Sequence, residues 1–182
     1  MVRIRQIIER QDVASEHQDI FDSITASRGR VSGPFSVLLN SPEVAGRAAH
    51  LGAYLRFEST LPDADKELAI ITAAREFDCD YEWGAHEVLA RKAGVSDGAI
   101  DVVANRRDVG GLTEDEALIV SYGREILGDH RVSKATYDAA IAKYGEQGVT
   151  ELTATLGYYV MLACALNAFE VEPRPDMPEL PK

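Results

Sequence analysis

The chain has 182 residues, with 19 Lys plus Arg against 30 Asp plus Glu and a formal net charge of −11. That length builds one well-buried core rather than two, and an acidic background without a basic patch or arm argues against nucleic acid as a partner. Two cysteines far apart, Cys79 and Cys164, are no disulfide framework, and without a long uninterrupted apolar run or a cleavable leader the expectation is a cytoplasmic protein with no membrane partner.

Helix signals dominate and strand-like alternation is nearly absent, so the expected fold class is all-α. Val13 to about Ser27 places Val13, Ile20, Phe21 and Ile24 on one side, and GRVSGPF breaks it before a short apolar turn, FSVLL. Ser41 followed by Pro42 starts a helix through PEVAGRAAHLGAYLRFES. A further helix is expected from Ala64 to about Phe77, and another from Cys79 to Ala93, ending at Gly94. Their very short connection makes them a helical hairpin.

Ser96 opens a short helix, and Thr113 in TEDE forms a capping box for EALIVSYGREIL, expected to close at Gly128. Ser133 caps KATYDAAIAKY. The last helix, from about Gly148 to Phe169, is strongly apolar in LGYYVMLACALNAF, which predicts a central or oligomer-facing position. The sequence divides into one all-α domain over 1–170 and an acidic, proline-rich tail over 171–182, expected to lie extended along a neighbour.

Cys79, Glu82 and His86 are spaced three and four apart, which predicts that a thiol, a carboxylate and an imidazole share one helix face with Leu89 and Ala93. Inward-facing positions of that kind normally hold aliphatic side chains, so these groups must serve one another or a ligand. Glu67, twelve positions before Cys79, can meet them across the hairpin. Each has an ordinary explanation when taken singly. His86 reads as a core-edge histidine, Glu67 as a first-turn carboxylate favoured by the helix dipole, and Cys79 as a small apolar filler. Glu82 one turn before His86 shifts the balance toward a proton-transfer pair. Arg75 is a candidate for binding a substrate carboxylate or an ordinary helix-end arginine. Tyr81 and Trp83 read as packing groups, and His17, His50 and His130 carry no ligand pattern.

The pattern Glu67, Cys79, Glu82, His86, set in ELAIITAAREFDCDYEWGAH, resembles the carboxymuconolactone decarboxylase family, which includes the AhpD-like alkylhydroperoxidases. The resemblance is strongest from Pro62 to Ala104 and implies an AhpD-like helical fold with a family core at about 40–130. It further implies a homo-oligomer, trimer or hexamer; it does not imply a metal, although His86, Glu82, Glu67 and Cys79 could nominally ligate one, and no cofactor is expected. The peroxidase branch carries Cys-x-x-Cys, and here position 82 is Glu. The resulting expectation is a decarboxylase-like enzyme in which a Glu82/His86 pair, with Glu67 as a relay or a second acid, protonates a small carboxylated or lactone substrate held by Arg75. The rival is an AhpD-like thiol peroxidase using Cys79, and a third reading is a non-catalytic helical binding protein.

Overall fold

The computed structural model describes residues 2–182, and among these no strand occurs. Two 3-10 turns, Arg10–Asp12 and Ser15–His17, precede helix α1, Gln18–Arg28. The sequence-predicted helix from Val13 therefore starts five residues late. Val13 is still buried and accepts a hydrogen bond from the Gln18 side chain through its carbonyl, 3.2 Å. FSVLL is more than a turn: α2, Pro34–Leu38, has proline in its first turn and four buried residues. Helix α3 is Pro42–Phe57, α4 Asp63–Glu76, α5 Asp80–Ala93, α6 Asp97–Ala104 and α7 Glu114–Arg124.

The centre of the molecule is α4. Every residue from Lys66 to Arg75 is buried, because α5, α7 and α8 pack around it on different sides. Leu68, Ile70 and Ile71 are almost wholly removed from water, each worth roughly 1.5–3 kcal/mol of burial. Its end is set by backbone chemistry. Asp78 takes φ 44°, its amide donates to the Arg75 carbonyl at 3.1 Å, and the Cys79 amide reaches back to Ala74 at 2.9 Å. These are the paired bonds of a Schellman stop, here with Asp in the left-handed position, and they reverse the chain within three residues.

Helix α8, Lys134–Ala168, joins the two segments expected separately, with a break at Gly145. Ser133 and Thr113 form the expected caps, the latter with its complete capping box. Gly128 does not close α7. The helix runs on as a π-turn, Glu125–Asp129, and stops at left-handed His130. Glu125 there accepts from the Ser133 amide and the Thr136 hydroxyl, both at 2.6 Å, and so joins α7 to the start of α8. By length and composition α8 could cross a membrane, yet 56% of its apolar window is buried within the chain against α2, α4 and α7.

The tail corrects an expectation. Instead of reaching toward a neighbour it returns to its own chain. Leu180 is 3% exposed in the main core, the Pro181 carbonyl accepts from Arg75 at 2.9 Å, and Lys182 pairs with Asp80 at 2.8 Å.

Candidate functional site

The tight α4–α5 reversal lays the second turn of α4 against the second turn of α5, and Glu67 meets His86 there. Glu67 Oε2 lies 2.7 Å from His86 Nδ1, a full hydrogen bond, while Glu82 Oε2 stands 3.6 Å from Nε2, too far for one. Glu67 therefore holds the ring and Glu82 faces its other nitrogen, the reverse of the orienting role expected for Glu82. The Tyr159 ring packs edge-on against the imidazole, 4.9 Å between centroids at 82°, fixing the ring plane from the α8 side. His86, Glu82 and Glu67 are 5%, 3% and 8% exposed.

Burial dominates the electrostatics. It pushes the Glu82 carboxyl above the ordinary carboxylate range, opposed by His86 and Arg56 and reinforced by Glu67. The same desolvation raises Tyr159 well above the usual phenol value and Tyr158 to about 12, so both hydroxyls stay protonated donors at neutral pH. A carboxyl with a raised pKa, a positioned imidazole and neutral phenols in one place form a set able to store and deliver a proton.

These groups open on a cavity of about 500 Å³ between α3, α5, α8, the 28–35 segment and the tail. Glu82, His86, Tyr158 and Tyr159 line it, together with four arginines, Arg28, Arg30, Arg56 and Arg174. Asp176 also lines it and pairs with Arg174 at 3.1 Å, so Arg28, Arg30 and Arg56 carry the local excess of positive charge that, in a chain of net charge −11, suits an anionic guest. The arginines come from α1, the following loop, α3 and the tail. Nothing in their local sequence marks them, since each reads as ordinary surface charge until the fold gathers them. Tyr158 and Tyr159 were visible only as part of an apolar run.

Two expected members lie elsewhere. Cys79 is the N-cap of α5 rather than a residue on its face, and its side chain is fully buried among Val37, Tyr81, Ala163, Leu166 and Val171. It does not line the cavity, and burial pushes its thiol up to about 12. The three-and-four spacing misplaces it because the helix begins one residue later, at Asp80. Arg75 is also absent from the cavity lining. Its guanidinium is committed to Asp78 at 3.1 Å and to the tail carbonyl of Pro181. Among the described residues no group of three or more His, Cys, Asp and Glu is arranged to hold a metal ion.

Residues 42–120 match the carboxymuconolactone decarboxylase family. No curated protein matches the chain. Solved structures share its fold at low identity. An uncharacterized peroxidase-related protein from Ralstonia eutropha JMP134, with an alkylhydroperoxidase AhpD core, is 14% identical, with 92% of this chain and 90% of that one covered at a TM-score of 0.75. A peroxidase-related protein from Silicibacter sp. TM1040 gives 14%, 90%, 87% and 0.72. The debrominase Bmp8 in complex with 2,3,4-tribromopyrrole gives 14%, 96%, 94% and 0.75.

Proposed function

We propose that this chain is an enzyme of the carboxymuconolactone decarboxylase family, which residues 42–120 match. The reading best supported by the site is an enzyme that decarboxylates a small anionic organic acid or lactone. One observation carries it. The imidazole of His86, held from behind by Glu67 and faced by Glu82, whose carboxyl burial pushes upward, opens on a cavity lined by four arginines. Arg28, Arg30 and Arg56 hold the substrate's carboxylate groups, Arg174 being paired with Asp176. The bond from carbon to the departing carboxylate breaks, carbon dioxide leaves, and the electron pair moves into the substrate's own carbonyl or lactone as an enolate. With Nδ1–H given to Glu67, Nε2 takes the proton of Glu82 and delivers it to carbon, and solvent restores the proton on Glu82. Tyr158 and Tyr159 are the donors available to the enolate oxygen.

The rival reading, a thiol peroxidase, draws on the peroxidase-related and debrominase structures of the same fold. Its nucleophile would be Cys79, which here is buried, outside the cavity and held as a neutral thiol. These features favour the decarboxylase reading. A panel of β-keto acids and lactone carboxylates, followed by carbon dioxide release and by deuterium uptake from heavy water at the reacting carbon, tests it. Turnover is expected in the native chain, reduced about 100-fold or more in His86→Ala and little changed in Cys79→Ser. Hydroperoxide consumption with a thiol reductant that vanishes in Cys79→Ser, without any decarboxylation, would establish the rival instead.

A further inference from the structure

The C-terminal segment is built into the cavity wall, and the contact that brings it there is specific. At Gly84, between Glu82 and His86 on α5, a Cβ would lie 2.7 Å from Met177 Cβ and 2.9 Å from the Pro178 carbonyl. Only a residue without a side chain lets the tail backbone lie on the helix at this height. Beyond the contact the tail is anchored three ways. Leu180 is buried in the core, Arg75 donates to the Pro181 carbonyl, and Lys182 pairs with Asp80. Before it, Val171 is buried and its amide donates to Leu166 at 2.9 Å. A span fixed at both ends thus presents Arg174, Met177 and Pro178 to the cavity beside the catalytic candidates.

We propose that residues 174–178 are a specificity-determining wall. Met177, seated on Gly84, sets the width of what can reach His86, and Arg75, rather than binding substrate, is the positioning residue that holds this wall in place. The inference concerns access to the cavity and stands whichever reaction occurs there. A wall resting on an anchored apolar side chain discriminates by size, because admitting a wider guest requires breaking the Leu180 and Arg75 contacts as well as moving Met177.

A thiol placed at Ala85, which lines the cavity and packs in the same apolar cluster as Met177, reads this directly. In an Ala85→Cys, Cys164→Ser background, labelling rates are compared for a small reagent, methyl methanethiosulfonate, and a bulky one, fluorescein maleimide. In the intact chain the small reagent is expected to react at least about tenfold more selectively than it does with a free thiol. Met177→Ala, which keeps every anchor, should raise the bulky rate severalfold. Arg75→Ala should raise it too, and truncation after Pro173 should abolish the discrimination. The same variants without Ala85→Cys report any labelling of Cys79, which packs in that cluster too, and cooperative thermal unfolding checks that each variant is folded. Selectivity unchanged at Ala85→Cys in Met177→Ala and in the truncated chain, both folded, would overturn the proposal.

Discussion

His86 is flanked by two carboxylates in unequal circumstances. Glu67 is hydrogen-bonded to the ring at 2.7 Å, whereas Glu82 is buried without a bond to it and has its pKa raised by desolvation. A raised folded-state pKa means that the native protein holds this proton above the ordinary 4.5, while the unfolded chain releases it. Stability supplied by Glu82 is therefore complete at lower pH and falls as pH rises toward the folded pKa. Glu82→Gln removes that liability. Urea unfolding from pH 4.5 to 8.5 should show the variant gaining on the native chain with rising pH, by at most about 1.4 kcal/mol per pH unit. Its turnover should fall at the same time, and a stability difference independent of pH would contradict the assignment.

At the scale of elements, α8 is tied to the α3–α4 connection by a buried acid. Glu151 accepts from the Tyr54 hydroxyl at 2.6 Å, the Thr60 amide at 2.8 Å, the Thr60 hydroxyl at 2.6 Å and Gln147 at 3.0 Å. Although burial opposes ionisation, these donors together hold its carboxyl down at about 2. Its contribution is present above the unfolded value near 4.5 and is lost as pH falls toward 2. Glu151→Gln, which forfeits the charge-assisted bonds, should cost about 2 kcal/mol at pH 7. That loss should shrink in acid, as denaturant titration at several pH values would reveal. The break in α8 makes a second demand. Gly145 has φ 65° and ψ −177°, a conformation essentially reserved for glycine, and nothing lies within 4 Å of where its Cβ would be. Gly145→Ala therefore adds strain without a clash, and calorimetry should show a loss of roughly 1–3 kcal/mol.

For the molecule as a whole, the apolar excess expected of the last helix is largely absorbed within the chain, so the argument for assembly moves to α3. Val44, Leu51 and Tyr54, spaced to share a face, are each more than a third exposed, and Met161 of α8 is 40% exposed. Self-association through this surface is the expected outcome, with light scattering at micromolar concentration giving a multiple of 19.9 kDa. Leu51→Glu should shift the mass toward that of one chain, and a native monomer would refute the expectation. Truncation of the tail should leave assembly intact, because the tail packs on its own chain.

Local signals settle what is local. The caps at Ser96, Thr113 and Ser133, the short α4–α5 connection and the four-residue step from Glu82 to His86 depend on contacts within a turn or two, and each was legible in the residues alone. So was the all-α class, which follows from periodicity. Cys79 shows where this reasoning stops. Helical spacing predicts a shared face only inside a helix, and the Schellman stop at Asp78 places the cysteine at the helix's threshold. Arg75 shows the second limit. Guanidinium chemistry permits a substrate carboxylate or a backbone carbonyl equally well, and the returning tail decided between them. The ring of arginines around the cavity, the Glu67–His86 bond length and the seat of Met177 on Gly84 all join segments distant in sequence. Tertiary packing alone creates them, because no local pattern of charge or hydropathy encodes which surfaces will meet.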